Sequence, residues 1–168
     1  AIAAAAATGS LLHCRGLNTR REHVCKEGRG ERRRAALLDE AELLARWVTS
    51  DRSARVYGRE RPGSFRVRVP VGERAVSCRL FAPDVADGER PLVVALHGAG
   101  GSENLFFDGY GDGLCVELAR QRGWFVVAPR NGMGFVDCAG LVDALSERFS
   151  IARDQVFVVG HSMGAMQA

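Results

Sequence analysis

The chain has 168 residues, 46% of them hydrophobic and 26% charged, with a formal net charge of +3. That length accommodates about one domain, and the composition is that of a folded chain, not of a fibre or a low-complexity polymer. No stretch approaches the roughly 18–20 consecutive apolar residues of a membrane-spanning helix; the charge is small and uneven, and its basic segment could touch nucleic acid or acidic lipid but reads better as a solvated leader, so no nucleic-acid partner is expected.

Residues 1–31 form a basic leader. Between Arg15 and Arg34 there are eight basic residues against three acidic ones. With few core-forming side chains, the segment is expected to be disordered. His13, Cys14, His23 and Cys25 match no common zinc-finger spacing, so no metal site is expected there. The five cysteines (Cys14, Cys25, Cys78, Cys115 and Cys138) are odd in number and include no C-x-x-C pair, so no disulfide framework can be read from them. The chain begins with Ala1 and its first methionine is Met133, so both ends read as cuts, and the compartment stays open.

Residues 32–62 read as a helix and a linker. Leu37, Ala41, Leu44 and Val48 recur at helical spacing, with Leu38 and Trp47 beside them. Pro62-Gly63 breaks the pattern, and a partial α/β domain is expected over residues 63–168.

From Ser64 the period becomes two. Phe65, Val67, Val69 and Val71 alternate with Arg66, Arg68 and Pro70, which describes a half-buried strand; Pro70 argues for an edge position. A turn at Gly72-Glu73 leads into Val76, Cys78 and Leu80, closing an antiparallel hairpin. Three continuous apolar runs follow, at 91–97, 124–128 and 155–159, and such runs indicate strands buried on both faces. Between them lie two helical stripes. One holds Leu114, Cys115, Leu118 and Ala119 and stops at Gly123. The other holds Leu141, Val142, Leu145 and Phe149, with Asp137 as its cap. The expected fold is α/β: a doubly wound, mostly parallel sheet with an antiparallel N-terminal hairpin.

The chemistry concentrates at two glycine-rich turns. Gly160-His161-Ser162-Met163-Gly164 follows a buried strand and opens a helix. In that context G-x-S-x-G describes a nucleophile elbow. The flanking glycines let a strained turn pack tightly and leave the serine oxygen exposed. His97-Gly98-Ala99-Gly100-Gly101 follows the third strand. A tetrahedral acyl-transfer intermediate needs preset backbone N–H donors, and a loop of small residues can bring them close. Both turns fall at the carboxyl ends of adjacent parallel strands, where open α/β sheets place their sites.

On these motifs the chain resembles the α/β-hydrolase superfamily. The text that carries the resemblance is PLVVALHGAGGSEN, then WFVVAPR, then QVFVVGHSMGA. It is most similar to the esterase branch with polyhydroxybutyrate depolymerase-like and feruloyl esterase-like enzymes, and is related to prolyl oligopeptidase-type catalytic domains. The resemblance implies a serine esterase with Ser162 as nucleophile and the Ala99 and Met163 amides as oxyanion donors. His97, Gly98, Gly100, Gly160 and Gly164 would be supporting loop residues. It implies no metal and no organic cofactor, and a small-molecule or polymer ester as substrate. It also implies a triad acid and histidine after the serine. Residues 163–168 hold neither, so the chain reads as truncated after the elbow and close to inactive by itself. A serine peptidase, an acyltransferase and a non-catalytic remnant or interaction protein are the alternatives.

Other features read more simply. Gly98–Gly101 lacks the third glycine of a dinucleotide loop, because Glu103 stands there, and no G-K-S/T occurs. Gly132-Met133-Gly134 is expected in a loop near the site entrance. Phe106, Phe107 and Tyr110 suit either a substrate pocket or loop anchoring. Arg130 suits solvation or an ion pair better than a substrate carboxylate. Cys78, Cys115 and Cys138 read as core or half-buried thiols.

Overall fold

The computed structural model describes residues 62–85, 87–132 and 134–168, together with the helical residues Glu31, Arg34, Ala35, Leu37, Leu38, Ala41, Glu42 and Ala45. The chain divides into a unit over Ala6–Ala54 and a larger unit that contains Arg55–Ala168. In the smaller unit the expected helix holds Leu37 and Leu38, which are 47% and 58% exposed. Leu44, Trp47 and Val48 of the expected stripe lie outside the described residues, as do His13, Cys14, His23 and Cys25.

The larger unit is built on one five-stranded sheet: β1 (Gly63–Val71), β2 (Arg74–Ala82), β3 (Arg90–Leu96), β4 (Phe125–Pro129) and β5 (Ile151–Gly160), in the order β1-β2-β4-β3-β5. Two pairings are antiparallel, β1 with β2 and β2 with β4; β3 is parallel to both β4 and β5. The sheet is therefore mixed rather than mostly parallel. Pro70 lies on β1, at the sheet's edge, where its missing N–H leaves no inner pairing broken.

Three helices follow: α1 (Leu114–Arg122), α2 (Cys138–Ser146) and α3 (Met163–Gln167). One sheet face gathers Phe81, Val93, Ala95, Val126 and Ala128 against Val116 and Ala119 of α1 and Phe107. The intervening residues Leu92, Val94, Leu96 and Val127 are buried as well, and α2 lies against β1 and β5. β3 and β4 are thus covered on both sides, as their unbroken apolar runs require.

Three further expectations need correction. The α1 stripe is rotated: Val116 and Ala119 are buried, whereas Leu114 and Leu118 are 53% and 40% exposed. β2 is half-buried only in its first part. From Cys78 to Ala82 every residue is buried, because that half also pairs with β4. β5 begins four residues earlier than its apolar run, at Ile151, and its Val156–Val159 stretch is only half-buried, because β5 is the other edge of the sheet. The Asp137 cap forms as expected: its side chain accepts from the Gly140 amide at 2.9 Å, satisfying one of the helix's otherwise orphaned donors.

Candidate active site

The sheet changes direction at β3. From it the chain passes first to β4 on one side and later to β5 on the other. The crevice at the carboxyl ends of such neighbouring strands is where open α/β sheets bind ligands. The register pairs Leu96 with Gly160, so both glycine-rich turns leave the sheet side by side. The His161 amide donates back to the Leu96 carbonyl at 3.1 Å.

After Gly160 the backbone folds sharply. Ser162 takes φ 53° and ψ −118°, a conformation that costs a non-glycine residue about 1–3 kcal/mol. The turn is held by the Gly164 amide on the His161 carbonyl and the Ala165 amide on the Ser162 carbonyl, both at 2.9 Å. Crowding explains the glycines. A Cβ on Gly160 would drive into the Gly164 carbonyl, and one on Gly164 into the Leu96 carbonyl. Ser162 is exposed at the start of α3, and its hydroxyl caps no amide.

The second turn lies directly against the first. A Cβ on Gly98 would stand 3.1 Å from the Ser162 Cβ and 3.1 Å from both the carbonyl oxygen and Nδ1 of His161. Only a bare backbone can come this close. The Gly101 amide closes the loop onto the Gly98 carbonyl at 3.1 Å, with Gly100 left-handed at φ 72°. Among the described residues, the Ala99 amide and the Met163 amide, at the start of α3, bond to no protein acceptor. The Met163 amide belongs to the serine turn itself, and the Ala99 amide follows Gly98 in the loop packed against that turn.

His97 supports the loop from beneath. It is 2% exposed, and its Nδ1 lies 2.8 Å from the Gly98 carbonyl. A carbonyl only accepts, so Nδ1 carries the proton. The His97 carbonyl in turn accepts from Asn131 Nδ2 at 2.9 Å. Asn131, 4% exposed, is a site residue that sequence reasoning passed over. Its only signal is a polar residue just past a buried strand. Neighbouring Arg130 is exposed and lies 3.9 Å from Glu103, a loose ion pair.

The segment after the loop is a π-helical turn over Leu105–Gly109 and a 3₁₀ turn over Tyr110–Gly113. Its anchor, Arg79 on β2, was also missed. Arg79 is 8% exposed; its Nη1 donates to Asn104 Oδ1 at 3.0 Å and to Asp108 Oδ2 at 3.3 Å. The three aromatic residues of this segment diverge. Phe107 joins the core under Arg79. Phe106 meets the Tyr110 ring edge-on at 4.9 Å, and the Tyr110 hydroxyl lies 2.9 Å from His161 Nδ1.

Gly132 and Gly134 meet no crowding, and Met133 lies outside the described residues. Gln167 of α3 donates to the Val136 carbonyl at 2.6 Å. Burial raises the thiol pKa of Cys78, Cys115 and Cys138, with Cys78 pushed up to about 12. Among the described residues no group of three His, Cys, Asp or Glu side chains is placed to hold a metal ion, and no helix is long and apolar enough to cross a membrane.

No family model matches the chain, and no curated protein matches it. It is similar to several solved structures of serine hydrolases and esterases. The fluorophosphonate-binding serine hydrolase FphF of Staphylococcus aureus is 19% identical over 62% of this chain and 49% of its own, with a TM-score of 0.48. An acetyl xylan esterase from Aspergillus awamori is 22% identical over 64% and 44%, with a TM-score of 0.47. A ferulic acid esterase from Anaeromyces mucronatus is 18% identical over 61% and 50%, with a TM-score of 0.45. The chain spans about half the length of these structures.

Proposed function

We propose that the protein is a serine hydrolase of the α/β-hydrolase type that cleaves carboxylic esters through an acyl-enzyme on Ser162. The observation that carries this reading is the contact between the Gly98 backbone and the Ser162 Cβ, 3.1 Å from where a side chain on Gly98 would begin. It brings a strained, exposed hydroxyl against a loop with free amides. In the first step Ser162 Oγ attacks the ester carbonyl carbon. The charge gathering on the carbonyl oxygen is taken up by the Ala99 and Met163 amides, and the alcohol leaves with a proton. Water then attacks the acyl-serine, and the acid departs. Preset donors of this kind contribute about 3–4 kcal/mol each to such a transition state.

The proton carrier is an imidazole other than the two beside the serine. His97 is buried with Nδ1 committed to Gly98, and His161 has Nδ1 committed to Tyr110. Without a base, a serine hydroxyl stays protonated and weakly nucleophilic at neutral pH. Residues 1–168 alone are therefore expected to be close to inactive. The same absence of contact favours a second reading, a non-catalytic protein that keeps the turn geometry.

Hydrolysis of p-nitrophenyl acetate separates the two. Protein expressed from the complete reading frame should turn the ester over, and Ser162→Ala should lower kcat by roughly a thousandfold or more. Equal rates for the variant and the parent would refute the assignment. Ordinary enzyme rates from residues 1–168 alone would refute the incomplete site.

A further inference from the structure

The geometry points to Tyr110 as a positioning residue that fixes the tautomer of His161, leaving His161 Nε2–H as a hydrogen-bond donor beside Ser162 for an oxygen acceptor of the bound ligand. The donor role rests on the proposed hydrolase reading; the tautomer assignment does not.

The Tyr110 hydroxyl and His161 Nδ1 lie 2.9 Å apart, with ring centroids 4.9 Å apart and tilted by 49°. A phenol is a good donor and a poor acceptor, whereas an unprotonated imidazole nitrogen is a good acceptor. The phenol therefore donates, and the proton of the neutral ring sits on Nε2. Which imidazole nitrogen is protonated follows from the bond that the other one makes. His161 is exposed, and no protein acceptor meets its Nε2 among the described residues.

Both partners are held from behind. Tyr110 opens a turn whose next residues, Gly111, Asp112 and Gly113, are all left-handed, at φ 56°, 58° and 79°. A side chain on Gly113 would strike the Phe107 carbonyl. The preceding turn is tied to Arg79 through Asn104 and Asp108, and the Phe106 ring braces Tyr110. On the other side, the His161 amide and carbonyl are both bonded, to Leu96 and Gly164. The backbone bonds hold the turn that carries the ring, and the Tyr110 hydroxyl holds the ring itself.

The donor lies next to the chemistry. His161 Nδ1 and the Ser162 Cβ both stand 3.1 Å from the same point, the place of a Cβ on Gly98. The ring and the serine side chain thus converge on one patch of bare backbone. Nδ1, the ring atom at that point, is the one Tyr110 occupies, so Nε2–H is the edge of this neighbouring ring left for an oxygen of a carbonyl, a phosphoryl or a boronate held at Ser162. Were the ring free to take its other tautomer, the edge left exposed would carry an acceptor and would repel that oxygen.

The test reads side-chain nitrogen and proton resonances of His161 by NMR at neutral pH, in the 168-residue chain and its Tyr110→Phe variant, which keeps the ring and removes only the hydroxyl. The expected spectrum shows a proton on Nε2 and a hydrogen-bonded, unprotonated Nδ1. In Tyr110→Phe, Nδ1 should lose its hydrogen-bond shift and the tautomers should mix. A proton on Nδ1 in the parent chain, or a His161 indifferent to Tyr110→Phe, would overturn the assignment. Phenylboronic acid, which bonds to an active serine oxygen, then tests the donor in protein expressed from the complete reading frame. Its binding should move the Nε2–H resonance there and leave it unmoved in the Ser162→Ala variant of the same protein. Binding at Ser162 without that movement overturns the donor role alone. No Ser162-dependent binding overturns the hydrolase reading and the donor role together, while the tautomer result stands on its own spectra.

Discussion

The Arg79 guanidinium lies 3.3 Å from the Asp108 carboxylate and 4.7 Å over the Phe107 ring. A β2 side chain thereby pins the segment that follows the Gly98–Gly101 loop. Arg79 is buried, whereas Asp108 is at the surface, with 29% of its side chain exposed. Breaking such a pair leaves an uncompensated charge, which costs about 3–5 kcal/mol when fully buried. Arg79→Ala should therefore destabilise the fold by about 2–4 kcal/mol, read from the urea midpoint. Arg79→Lys should recover part of this, because the ammonium keeps the charge but sits on a shorter side chain and is more strongly hydrated than the Nη1 that bonds both Asn104 and Asp108.

Gly164 has no room for a methyl group, since its Cβ would enter the Leu96 carbonyl. Gly164→Ala should force β3 and α3 apart and cost about 2 kcal/mol or more, in the range of overpacked core sites. Gly72, left-handed at φ 58° but with nothing within 4 Å, is the control. Gly72→Ala pays only for the backbone conformation, about 1 kcal/mol. Thermal melting of the two variants should show Gly164→Ala well below Gly72→Ala.

Ser162 holds φ 53° without being glycine. Ser162→Gly removes the nucleophile and the strain together, whereas Ser162→Ala removes only the nucleophile. Ser162→Gly should be the more stable of the two by about 1 kcal/mol, the lower end of such strain. Equal melting temperatures would mean that the turn is relaxed.

Cys78 brings a pH dependence. Burial first, and the charge of Glu103 second, push its thiol up to about 12 from 9.0. The native state therefore keeps this proton while the unfolded chain loses it above about pH 9. Stability should be constant below that pH and fall as pH rises towards 12, by about 1.4 kcal/mol per pH step at most. Burial raises Cys115 and Cys138 in the same direction, so Cys78→Ala should flatten the alkaline slope without abolishing it. Urea midpoints at pH 7 and pH 10 measure the difference. An unchanged slope in Cys78→Ala would show that this thiol titrates normally.

Much of this architecture is legible in the sequence because burial leaves a period. Phe65 and Val69 are buried while Arg66, Arg68 and Pro70 stay exposed, and the unbroken runs of β3 and β4 mark strands covered on both faces. The two glycine-rich turns are legible because only glycine tolerates the backbone contacts found there. What was missed depends on the neighbours a residue acquires in the fold. The apolar run of β5 looks like that of β3, yet β5 is half-exposed because no described strand lies beyond it. Arg79 reads as a solvent-facing position between Cys78 and Leu80 until the 104–108 segment covers it. The Tyr110–His161 bond joins residues 51 positions apart, and no local pattern foretells it.

The central claim is that Ser162 is a nucleophile poised beside free amides, and covalent capture tests it most directly. Protein from the complete reading frame, treated with a fluorophosphonate probe and mapped by mass spectrometry, should carry one adduct, on Ser162, that disappears in Ser162→Ala and after unfolding. A folded protein that takes up no label, or takes it on a different residue, would contradict the account.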